Sequence, residues 1–119
     1  MLELTESNFD AQISRGSAVV VDFTAEWCPP CRLLTPMLER AAETLGSHAT
    51  FATVDADQNQ QILTRYRIMA LPTIVVFSDG QPTHTIRGLR DEKTLLAELR
   101  QALDPAQRAQ TQTKPARSL

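Results

Sequence analysis

The sequence predicts an α/β domain with a central mixed sheet of five strands flanked by four helices. Three observations carry that expectation. Two nearly continuous apolar runs, Ala18 to Thr24 and Thr73 to Ser78, have the composition of strands buried on both faces. Apolar residues at helical spacing follow each run: Leu34, Leu38, Ala41 and Leu45 after the first, Leu95, Leu99 and Leu103 after the second. The turn pair Asp79-Gly80 joins the second run to a further extended stretch, as a hairpin does.

In chain order, residues 2–4 make a short first strand. Ser7-Asn8-Phe9-Asp10 is a relative of the capping box and opens a short helix that turns Phe9 and Ile13 inward and stops at Gly16. The strand at 18–24 comes next, then a long helix from about Pro30 to Leu45. Pro36 inside that helix removes a hydrogen bond and is expected to kink it; Gly46 is its natural stop. Thr50 to Ala56 forms another strand, and a short helix covers about Asn59–Arg65, ending near Tyr66. The strand at 73–78 turns at Asp79-Gly80 into a shorter one from Thr83 to Arg87, and the last helix starts near Asp91. The order is βαβαβαββα. Helices between strands imply parallel crossovers, and the closing hairpin adds an antiparallel strand. From Asp104 the pattern ends in a polar tail without aromatic residues. The expected organisation is one domain over 1–103 and a disordered tail over 104–119.

At 119 residues the chain is long enough for one real core and too short for two. A net charge of −2 gives no electrostatic reason to expect nucleic acid or an anionic membrane as partner. No apolar stretch approaches the roughly 20 residues that span a bilayer. The start, Met1 to Glu6, has neither a basic nor an apolar signal region, so the cytosol is the expected compartment. In a reducing compartment a lone cysteine pair is more often catalytic or metal-binding than a permanent staple.

Both cysteines of the chain lie in Trp27-Cys28-Pro29-Pro30-Cys31, between the strand at 18–24 and the long helix. A Cys-x-x-Cys at a strand-to-helix turn is the sequence form of a redox dithiol. With Cys28 as the helix cap, its sulfur meets unpaired backbone N–H groups and the positive end of the macrodipole, which favour thiolate over thiol. Prolines at the next two positions fit a first turn and leave the Cys31 and Arg32 N–H groups as the first donors to that sulfur. Cys28 is then the reactive cysteine and Cys31 the sheltered one. An inert pair and a zinc site are the competing readings; zinc wants four ligands, and His48 and His84 lie on elements that do not reach the turn.

Asp22 sits between Val21 and Phe23 on a buried strand. If its side chain points inward beneath the turn, burial raises its pKa and suits it to take a proton from Cys31; if outward, it is a solvated strand-end acid. Pro72 precedes the strand at 73–78 and must occupy a strand start or an edge. Pattern alone leaves the Leu71–Pro72 isomer open, with cis the minority form. Trp27 is either a contact surface beside the dithiol or a core aromatic.

Together, Asp22-Phe23-Thr24-Ala25-Glu26-Trp27-Cys28-Pro29-Pro30-Cys31, Pro36, Asp55-Ala56-Asp57, Leu71-Pro72-Thr73, Asp79-Gly80 and Gly88 resemble the thioredoxin family in order and spacing, over about Leu4 to Leu103. The resemblance implies a thioredoxin fold whose dithiol reduces protein disulfides, with Cys28 attacking and Cys31 resolving. It implies that Asp22 is the family's buried acid and Pro72 its cis-proline, with the Leu71 backbone pairing with an extended substrate segment. Trp27, Pro29, Leu71, Gly88 and Leu89 would form the apolar rim. No cofactor is expected to bind; electrons would come from NADPH through a reductase partner, and the protein is expected to act as a monomer.

Departures from the family pattern bear on detail. Cys-Pro-Pro-Cys replaces the usual Cys-Gly-Pro-Cys and also resembles the tryparedoxin and nucleoredoxin branch, which leaves electron donor and substrate open. Thr53 stands where the family often has a lysine near the buried acid, so Asp22 should have a higher pKa than in its relatives, with desolvation the prominent cause. Leu89 is larger than the alanine often found there. The expected activity is thiol–disulfide exchange in the reducing direction. A thioredoxin-fold binding or co-chaperone module and an extracytoplasmic oxidase or isomerase are the alternatives.

Overall fold

The computed structural model describes residues 1–15 and 17–105. Gly16, expected to end the first helix, and residues 106–119 of the expected tail lie outside the described residues. The elements are β1 (Leu2–Leu4), α1 (Phe9–Ile13), β2 (Ala18–Thr24), α2 (Pro29–Leu45), β3 (Ala49–Asp55), a 3₁₀ turn (Ala56–Gln58), α3 (Gln60–Arg65), β4 (Thr73–Ser78), β5 (Gln81–Arg87) and α4 (Glu92–Ala102). The five strands form one sheet in the order β1-β3-β2-β4-β5. The expected mixed sheet with four helices is what the described residues build.

Side-chain alternation along β2 explains how two cores form. Val19, Val21 and Phe23 face α1 and α3, where they pack with Phe9, Ile62, Val75 and Phe77. Ala18 and Val20 face α2 and α4, where they meet Leu34, Leu38, Ile74, Val76 and Leu99. Asp22 shares the parity of Val20, so the pleat turns it toward α2. A strand buried on both faces has no solvent side to give a carboxylate.

The strand directions differ from the expectation in one respect. β1, β3 and β2 are parallel, but β4 runs antiparallel to β2, with Phe23 opposite Thr73 and Val19 opposite Phe77. β5, not β4, is the strand that returns to the common direction. The reason is that a helix in the connection does not fix the end at which the chain returns. The five-residue α1 still carries the chain back to a parallel β2, whereas the connection through α3 re-enters the sheet at the end it left, and β4 starts beside the C-terminal end of β2.

Smaller differences have local causes. Asn8 caps α1 in position only: its Oδ1 accepts from the Thr5 N–H at 2.7 Å and its Nδ2 donates to the Glu3 carbonyl, so it braces the preceding turn instead of the helix. α2 begins at Pro29, and β5 begins at Gln81, two residues earlier than expected, where the register slips between Val76 and Phe77. Gly46 does cap α2, but in a right-handed conformation; an added Cβ there would meet the Ala42 carbonyl oxygen at 2.6 Å.

Candidate functional site

β2 ends at Thr24, and the turn Ala25-Glu26-Trp27 delivers Cys28 to the N-cap of α2. Cys28 has extended backbone angles, and the Cys31 N–H points at its sulfur, 3.3 Å away. Pro29 and Pro30 occupy the first two helical positions, where a missing N–H costs nothing. The Arg32 N–H, the other donor expected for the sulfur, goes instead to the Cys28 carbonyl at 3.2 Å, the first regular bond of the helix. Cys28 and Cys31 are joined as a disulfide. Both are buried, at 4% and 1% exposure, so the contrast between an open and a sheltered cysteine is small in this oxidised state.

Beneath the turn lies Asp22, with 0% exposure. The solvated alternative for this residue is thereby removed. Its Oδ2 accepts a hydrogen bond from the Thr35 hydroxyl at 2.8 Å, and its Oδ1 has no partner among the described residues. Burial pushes the carboxyl up from 3.8 to about 6; the Thr35 bond works against that rise, and the charge of Glu39 adds to it. Desolvation is thus the prominent cause, as expected, but not the sole one. Thr53, the residue in place of the family's lysine, turns its hydroxyl to the Asp22 backbone carbonyl at 3.4 Å and leaves the carboxyl alone.

On the other side of the disulfide is the segment before β4. The Leu71–Pro72 bond is cis. Leu71 packs against Ala25, Cys28 and Cys31, and Pro72 is buried at the strand's start. The Pro72 carbonyl accepts from the Gly88 N–H at 2.9 Å, and Gly88 has φ +86°, a left-handed conformation natural to glycine. Leu89 follows with its side chain exposed. Trp27 is no core aromatic: it is 65% exposed, and its indole N–H donates to Asp57 at 2.8 Å. Pro29 is also exposed.

A cavity of about 540 Å³ opens beside the helix start, lined in part by Thr24, Ala25, Cys31, Arg32, Thr35 and Thr53. His48 lies between α2 and β3 and His84 on β5 opposite Val76, so neither joins the cysteines. Among the described residues no group of three or more histidine, cysteine or acidic side chains is gathered for a metal ion, and no helix is long and apolar enough to cross a membrane.

Two residues of the site, Thr35 and Asp57, go beyond the candidates that the sequence marks. Thr35 has a signal there, because it stands four residues after Cys31 and so on the same helical face. Asp57 has none for its contact with Trp27, which joins residues 30 apart in the chain.

Comparison with known proteins agrees with this geometry. The thioredoxin family model matches residues 1–101. The chain is 35% identical over 102 residues to thioredoxin of Alicyclobacillus acidocaldarius, covering 86% of this chain and 97% of that one. It is 35% identical over 95 residues to thioredoxin of Staphylococcus epidermidis, covering 80% and 90%. Among solved structures, a mutant thioredoxin from Halobacterium salinarum superposes with a TM-score of 0.77 at 33% identity, over 87% of this chain and 90% of that one. With the Cys-x-x-Cys disulfide at the head of α2, these matches make the chain a member of the thioredoxin family, the thiol–disulfide oxidoreductases that reduce protein disulfides.

Proposed function

We propose that the cycle divides between Cys28, Cys31 and Asp22. The observation that carries the reading is the Cys28 sulfur at the N-terminus of α2, bonded to Cys31 and within reach of its N–H. In the reduced protein that donor and the helix end favour a Cys28 thiolate. The thiolate attacks a substrate disulfide, forms a mixed disulfide and expels the first substrate thiolate. Cys31 passes its proton to the Asp22 carboxylate and attacks the Cys28 sulfur. The second substrate thiolate leaves, and two electrons have moved from the dithiol to the substrate. A carboxyl with a pKa of about 6 is mostly ionised at neutral pH and close enough to neutrality to accept a proton.

Trp27, Pro29, Leu71, Pro72, Gly88 and Leu89 form the docking rim, with the backbone at Leu71 offering strand-like pairing to an extended segment. Leu33 and Met69, two residues from Cys31 and from Leu71 in the chain, are exposed as well. A thioredoxin reductase drawing on NADPH restores the dithiol, the compartment is the cytosol, and the working form is a monomer. Residues 1–103 carry all of this.

Insulin reduction by dithiothreitol tests the assignment. Cys28→Ser should abolish catalysis, whereas Cys31→Ser should hold substrate as a covalent mixed disulfide. Catalysis by Cys28→Ser at the parent rate would refute the assignment.

A further inference from the structure

The Thr35 hydroxyl has a choice. In mid-helix, a threonine commonly back-bonds to a carbonyl four residues earlier, here that of Cys31. Instead it donates to Oδ2 of Asp22 at 2.8 Å, across the gap between α2 and β2. That bond accounts for one carboxyl oxygen and leaves Oδ1 without a partner among the described residues. Helical spacing puts Cys31 one turn before Thr35 on the same face of α2, and both side chains line the same cavity.

We propose that Thr35 is a positioning residue for the resolving step: by holding Oδ2 of Asp22 from the helix that carries Cys31, it sets the carboxyl's orientation and leaves Oδ1 as the oxygen for the Cys31 proton. This rests on the reading of Asp22 as proton acceptor. The hydrogen bond favours the ionised carboxyl, so its loss makes Asp22 hold its proton to higher pH. Charged groups on several elements face the carboxyl or the cavity beside it. Glu39 on α2 opposes ionisation. Arg32 on α2, Glu3 on β1, Asp55 on β3 and Glu26 in the turn line the adjoining cavity. β3 presents the neutral Thr53 and β4 the apolar Ile74. None of these groups bonds the carboxyl as Thr35 does.

The test compares Thr35→Val, which keeps the shape and removes the hydroxyl, with Thr35→Ser, which keeps the hydroxyl. Asp22 is titrated by carboxyl-carbon NMR in the oxidised protein, and release from a mixed disulfide at Cys28 is timed in single turnovers across pH. In Thr35→Val the Asp22 midpoint should rise by about one pH unit, and release at pH 6 should slow about fivefold while that at pH 8 changes little. Thr35→Ser should keep the parent midpoint. An unmoved midpoint in Thr35→Val, or an equal rise in Thr35→Ser, would overturn the inference. Asp22→Asn separates this outcome from the parent reading: if it releases substrate with the wild-type pH profile, Asp22 is not the acceptor, whatever the Thr35 titrations show.

Discussion

A single carboxyl is where local chemistry and stability conflict most sharply. Asp22 is enclosed by the strand it sits on and by α2, with one hydrogen bond from Thr35. Its folded pKa of about 6 exceeds the ordinary 3.8, so between those values the native state keeps a proton that the unfolded chain releases. The stability this contributes is full below pH 3.8, erodes as pH rises through the window and is gone above about 6, where folding must bury a charge. The size of the effect is about 3 kcal/mol as an upper value, from 2.2 pH units at about 1.4 kcal/mol each. Asp22→Asn should therefore raise the unfolding free energy of the oxidised protein by about 2–3 kcal/mol at pH 8 and by only about 0.5 kcal/mol at pH 4. Urea denaturation at the two pH values checks it; equal gains at both would show that burial of charge is not the cause. A group that weakens the fold at working pH is what a proton acceptor on a buried strand entails.

At the scale of elements, the two ends of the sheet do different work. The C-terminal ends of the parallel strands carry the turn to Cys28, and β4 starts beside them, with Thr73 opposite Phe23. The opposite end is closed by the hairpin at Asp79-Gly80, with φ of +54° and +80°. Both values are positive, the pattern whose twist matches that of the flanking strands. Gly80 takes that angle freely, whereas a Cβ there would be strained and would sit 3.2 Å from the Ser14 hydroxyl. Gly80→Ala should cost about 1 kcal/mol of stability in a denaturant titration. Its insulin reduction rate should stay at the parent value, because Val19–Phe77 and Phe23–Thr73 pairings separate the two ends by most of a strand. A loss of activity in a fully folded Gly80→Ala protein would contradict this division.

For the molecule as a whole, what is legible in the sequence is what periodicity and short spacing encode. Apolar runs mark the strands β2 and β4, leucines mark α2 and α4, and two cysteines three apart mark the dithiol. The cis bond at Pro72 is reached only through family likeness, since apolar pattern does not distinguish the isomers. The direction of β4 and the partner of Trp27 are not legible, because each is settled by residues distant in sequence meeting across a gap; for Asp22, the spacing of Thr35 from Cys31 marks the helix face but not the bond. We propose the C-terminal boundary of the domain at Leu103 on burial. Leu95, Leu99, Ala102 and Leu103 are buried against α2 and the sheet, while Asp104 and Pro105 are exposed. Among the described residues, the last side chain that the core holds is therefore that of Leu103, and hydrophobic burial is the main force holding a domain of this size. A chain ending at Pro105 should melt within about 2 °C of the full-length protein and reduce insulin at the same rate. A melting point lower by about 5 °C or more would mean that residues 106–119 contribute to the folded domain, and the boundary at 103 would have to be redrawn.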